Sequence, residues 1–133
     1  MAERRRRGPL TAGLALGVLA TTLIVAVDGT VRDTTTISTA GQPAPSIYPD
    51  ESTYSARLLE VDTLLLRRHR PYELWITRSG SPHYGHLVQI DGIDLGGGKP
   101  RITAAEWRPE GVRVHFASGH QAFVPARWFL GGR

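Results

Sequence analysis

The chain has 133 residues, with 16 Lys and Arg against 12 Asp and Glu, a net charge of +4 and no cysteine. The lack of cysteine excludes disulfides, a thiol nucleophile, thiolate metal sites and a lipid-bearing N-terminal cysteine. Residues 1–9 hold four arginines and Glu3, so residues 28–133 carry only +1, with twelve basic against eleven acidic side chains. A nucleic-acid-binding domain needs a basic stripe on its folded part. The short Arg67-Arg68-His69-Arg70 cluster reads instead as a solvated turn, and no nucleic-acid partner is expected.

Residues 1–9 form a basic N-terminus with Arg4, Arg5, Arg6 and Arg7. Residues 10–27, LTAGLALGVLATTLIVAV, carry no charge. As a helix this stretch spans about 27 Å, close to the hydrocarbon thickness of a bilayer. It exceeds the roughly 7–15 apolar residues of a cleavable signal. Its cleavage options are poor: a cut after Ala26 would place the bulky Ile24 three residues before the bond, and Ser38-Thr39-Ala40 lies well downstream. Gly8-Pro9 follows Arg6-Arg7 where the twin-arginine export pattern requires other residues. A retained signal anchor is expected, and the alternative is a secreted domain released by cleavage. Basic flanks stay cytoplasmic, and the far end holds Asp28, Arg32 and Asp33. The expected topology is a single pass through the plasma membrane, with the N-terminus cytoplasmic and the C-terminal domain extracytoplasmic. Gly13 and Gly17 make a small-xxx-small pair that can seat a second helix, so a weak homodimer through the membrane helix is an open partner.

Residues 28–53 hold six threonines, three serines, three prolines and two glycines. Pro43, Pro45 and Pro49 interrupt ladders and helices alike, and the composition predicts a flexible, disordered stalk.

Residues 54–133 form the expected globular part, a small antiparallel sheet or half-closed barrel of five to six strands in a mainly β protein. Residues 57–68 fit a strand or a helical stripe, with the strand favoured by Val61 and Thr63. Tyr72–Arg78 and His86–Ile90 read as strands, and 91–100 as a loop. Arg101–Trp107 leads into the Arg108-Pro109-Glu110-Gly111 turn, with either a simple register that sets Trp107 opposite Val112 or a bulge. Val112, Val114 and Phe116 alternate with Arg113 and His115, a strand with one buried face. A two-residue turn at Ser118-Gly119 would pair Phe116 with Gln121, Val114 with Phe123 and Val112 with Pro125, leaving Val124 on the face of Arg113 and His115. Trp128-Phe129-Leu130 then forms a short turn plugging one end.

The basic N-terminus, single helix and polar segment, followed by the tail GVRVHFASGHQAFVPARWFLGGR, resemble small single-pass membrane proteins of actinobacteria. The likeness rests mainly on residues 101–133 and the general layout. That group has no assigned activity, so the resemblance implies none.

Four histidines are the candidates for metal chemistry: His83 and His86, three apart, and His115 and His120 on the last hairpin. A zinc site takes three or four ligands at about 2 Å, and these converge only if the 83–86 segment folds over that hairpin. Gly96-Gly97-Gly98-Lys99-Pro100 lacks the spacing and the Ser/Thr of a phosphate loop. Asp91 and Asp94 do not match a calcium loop. Glu60, Asp62, Glu73 and Glu106 offer no acid–base pair by spacing, and Ser118 has no strand–turn–helix elbow around it. The expected function is that of a membrane-anchored, non-catalytic binding or accessory module of the cell envelope, with no cofactor and an unidentified envelope protein as partner. A small histidine-dependent metal-binding enzyme or factor is the alternative.

Overall fold

The computed structural model describes residues 8–81, 84–90 and 99–130. The protein is mainly β, with one N-terminal apolar helix, a sheet of four strands and a sheet of three. The chain divides into two compact units, Met1–Asp33 with Asp62–Arg68, and Thr34–Val61 with His69–Arg133.

In the first unit, α1 runs Gly8–Thr30. Thr21 and Thr22 donate their hydroxyls back to the carbonyls of Gly17 and Val18, at 2.9 and 2.8 Å. Those bonds satisfy both hydroxyls within the helix, as an apolar surrounding demands. Ala12–Thr30 is long and apolar enough to cross a membrane, and only 6% of that span is buried. Nothing in the helix composition gives it a polar face, so no single side is marked for burial.

The second unit carries most of the seven strands. The first sheet has the order β1(Arg32–Gly41), β2(Tyr54–Thr63), β3(His69–Arg78), β4(Gly85–Ile90). The second has the order β5(Ile102–Arg108), β6(Gly111–Phe116), β7(Gln121–Pro125), and the four-residue α2(Ala126–Phe129) follows. Within this unit Leu58, Leu74, Ile76 and Ile90 of the first sheet share one core with Val112, Val114, Phe116 and Val124 of the second. The Ile102 N–H donates to the Ser38 hydroxyl at 3.0 Å, linking β5 to β1.

The expected flexible stalk is corrected here. Residues 32–41 are proline-free and rich in β-branched threonine and isoleucine, which favour a strand once a neighbour is available to pair. Ile37 packs against the core from β1. The prolines fall after the strand, in a loop that is itself held. The Gln42 N–H donates to the Tyr54 carbonyl at 2.8 Å, and the Gln42 side-chain oxygen accepts from the Tyr54 N–H at 3.2 Å. Tyr48 from this loop is buried in the core, edge-on to Tyr54 and to Phe129, with ring centroids 5.5 and 5.4 Å away. Residues 54–133 supply six strands, within the five to six expected, and β1 adds a seventh; the described strands form two sheets and no closed barrel. The ambiguous 57–68 stretch is strand only as far as Thr63 and a turn at Leu64–Leu66.

Two registers in the second sheet decide which side chains are buried. Trp107 pairs with Val112 and Arg108 with Gly111, the simple turn, while the bulge lies earlier, between Ile102 and Ala104. Gly111 has φ +155, and a Cβ there would lie 2.3 Å from the Val124 carbonyl oxygen. Glycine is therefore required at that corner. The β6–β7 register differs from expectation by one residue: Val112 faces Val124 and Arg113 faces Phe123. The loop holds three residues, not two, because Gly119 adopts φ +86 and Phe116 pairs with His120. A one-residue slip flips a whole strand. Val124 is fully buried, and Phe123 is 47% exposed with the Arg113 guanidinium 5.9 Å from its ring centre.

The alternation on β6 is as expected: Val112, Val114 and Phe116 are buried. Replacing Val114 by Ala should cost about 2 kcal/mol, from lost apolar burial and the space left behind. His115→Ala removes an exposed pair with Glu106 and should stay within about 0.5 kcal/mol. Denaturant unfolding of the two variants measures this. A larger loss at His115 would contradict the register.

Candidate functional site

The histidines are placed apart in role. His115 bonds Glu106 at 3.1 Å across β5 and β6, His120 bonds the Ser118 hydroxyl at 3.1 Å in the hairpin loop, and the His86 ring lies tilted against Trp128. His83, the 91–98 loop and Arg4–Arg7 lie outside the described residues. Among the described residues no three His, Cys, Asp or Glu side chains gather as a metal-binding group. Gly13 and Gly17 lie on the exposed helix, where an added Cβ would meet nothing within 4 Å.

A cleft of about 620 Å³ lies in the second unit. That volume suits a small ligand or a short segment of a polymer. Its floor comes from β2 and β3 through Tyr54, Ile76 and Arg78, and β4 supplies His86. Its other wall is α2, which the chain builds immediately after β7. Pro125 ends the strand, the Ala126 N–H donates to the Glu110 carbonyl at 2.8 Å, and the single turn closes with the Leu130 N–H on the Ala126 carbonyl at 2.8 Å. This turn buries Phe129 against Tyr48 and Tyr54 and leaves Arg127 and Trp128 facing outward. Trp128 is 50% exposed, and its ring centre is 5.3 Å from that of His86.

Beside Tyr54 the cleft is braced by a carboxylate. Asp50 accepts from the Tyr54 hydroxyl at 2.6 Å, from the Arg78 guanidinium at 2.7 Å and from the Ser52 N–H at 3.2 Å. Burial pushes the Asp50 carboxyl up, but these three donors outweigh it and hold it below the usual carboxylate range. Burial, and then the hydrogen bond to Asp50, push the Tyr54 phenol up. Tyr48, deeper in the core, is pushed up to about 12 by burial and by the neighbouring Tyr54 and Glu110. The phenols therefore stay neutral at physiological pH. Arg78 is neutralised by Asp50, while Arg127 has no acidic partner among the described residues. The cleft thus combines aromatic faces with one uncompensated guanidinium, groups that hold a ring and an anion.

The sequence reads Trp128-Phe129-Leu130 as a plug, which holds for Phe129 and in part for Leu130, while Trp128 is half exposed. The sequence reading missed Arg127 and Trp128 as site residues; the signal that could have found them is a cation beside a large aromatic. The Asp50–Tyr54–Arg78 cluster had no sequence signal, because its members come from a loop and two strands.

A depressed carboxylate stabilises the folded state above its unfolded pKa of about 4, and that contribution is lost as pH falls through the folded value. Asp50→Asn should therefore lower Tm at pH 7, and the gap to the parent should close as pH falls from 7 to below about 4. Thermal unfolding across that range is the check, and a gap that stays constant contradicts the assignment.

The chain matches no protein-family model, no curated protein and no solved structure, so its function is argued from these residues alone.

Proposed function

We propose that the chain is a single-pass protein of the plasma membrane that displays its β domain outside the cytoplasm as a non-catalytic binding module of the cell envelope. The anchoring half of this reading is supported by an apolar helix that is almost wholly exposed and by the arginines that precede it, which favour a cytoplasmic N-terminus.

The binding half is carried by one observation: Arg127 and the half-exposed Trp128 sit side by side on the rim of a cleft floored by Tyr54 and Arg78. An indole face packs against the C–H face of a ring, and a guanidinium pairs a carboxylate or phosphate in two-point geometry. The ligand class that uses both is an acidic ring compound, such as an acidic saccharide of the envelope.

Titrating the full chain in nanodiscs with an oligogalacturonate hexamer should shift tryptophan emission. Arg127→Ala and Trp128→Ala should each weaken binding about tenfold or more, as expected for removal of a charged or aromatic anchor. A neutral oligosaccharide of equal length should bind much more weakly. Equal binding of the neutral oligomer, or no response to either, overturns the reading.

A further inference from the structure

Leu64, Leu65 and Leu66 form the turn between β2 and β3, and they are 48%, 54% and 47% exposed. Three consecutive exposed leucines at a hairpin tip are unusual for a surface in water, because apolar residues there gain nothing from burial. Their backbone is equally unusual. The Leu64 N–H donates to the Val31 carbonyl at 3.3 Å, and the N–H groups of Leu65 and Leu66 both donate to Asp28 Oδ1 at 2.8 Å. All three tip amides are therefore satisfied by the exit of α1, with no need of water. Asp28 is itself fully buried, and its second oxygen accepts from the Arg68 guanidinium at 3.1 Å.

These bonds fix the depth of the tip. Residues 10–27 span about 27 Å as a helix, so Asp28 falls where a spanning helix leaves the hydrocarbon. The leucines are tied to that level, beside the exposed Val27 and Val31. Backbone groups that enter a bilayer must be paired internally, and the amides of this turn are paired. Long arginine side chains reach from such a level to the headgroups. Arg67 and Arg68 stand at this level, held by Asp33 and Asp28 and still more than half exposed. Residues 28–33 and 62–68 hold three basic and three acidic side chains. A patch with no net charge selects an apolar interface and not an anionic surface.

We propose that the Leu64–Leu66 tip is a second membrane contact, seated in the headgroup boundary of the leaflet that α1 exits. This rests on the membrane-anchored reading above. The contact is between leucine side chains and zwitterionic lipid, and it requires no specific headgroup.

The absence of native cysteine allows a direct test. Leu64→Cys, Leu65→Cys and Leu66→Cys are each spin-labelled in the full chain and reconstituted in phosphatidylcholine vesicles. Leu19→Cys reports the helix and His120→Cys the exposed β6–β7 loop. Collision with oxygen, which concentrates in lipid, is compared with collision with a water-soluble nickel chelate. The oxygen-to-nickel ratio should be several-fold higher at 19 and at two or more of the three tip positions than at 120. A high ratio at 19 with tip ratios equal to that at 120 overturns the tip contact and leaves the anchor standing. A low ratio at 19 overturns the anchor, and the tip contact with it.

Discussion

A carboxylate with no exposure to solvent must find its partners within the protein, and Asp28 is the one that closes the apolar helix. Burying a charge costs several kcal/mol unless donors replace the lost water. Asp28 gathers four, namely two consecutive backbone N–H groups, the Thr63 hydroxyl and one guanidinium. The turn that supplies them must keep one shape. Thr63 helps to set it, accepting the Arg68 N–H on its hydroxyl at 2.9 Å while its own N–H donates to the Arg68 carbonyl at 2.9 Å. The end of the helix and the tip of the β2–β3 hairpin are thus one folded object, although they are more than thirty residues apart in the chain.

Much of this protein was legible in its sequence, and the failures share a cause. The helix was legible because a long uncharged run has few other destinations. Strand β6 was legible because Val112, Val114 and Phe116 alternate with polar residues. The stalk failed because threonine and serine are read as polar when counted, yet threonine is β-branched and pairs well beside another strand. Composition could not say that such a strand existed. The β7 faces failed because Ser118-Gly119 suits a two-residue turn, while the left-handed Gly119 closes a three-residue loop just as well. Local residues could not choose between the two, but burial did, by placing Val124 inside and leaving Phe123 to Arg113.

The candidate site was the least legible part. Tyr54, Arg78 and Asp50 are scattered along the chain and meet only when β2, β3 and the 42–53 loop are in place. The histidines drew attention because that residue type is rare and chemically versatile, yet three of them occupy a cross-strand hydrogen bond, a hairpin loop and a tilted aromatic contact. What distinguishes the cleft is the contrast between its two arginines. Arg78 is spent on holding Asp50, whereas Arg127 is left to the solvent beside Trp128. The cleft so built has Arg78 held by Asp50 and, among the described residues, one arginine without an acidic partner.

The central claim is that Asp28 joins the helix exit to the leucine tip. Hydrogen exchange at the amides of Leu65 and Leu66, read on the full chain in nanodiscs, tests it most directly. Turn amides that donate only to water exchange freely, whereas amides bonded to a buried acceptor open only with that bond. The account predicts slow exchange at both amides, and acceleration by about tenfold or more in Asp28→Ala. Fast exchange in the parent chain, or equal rates in parent and variant, would contradict it.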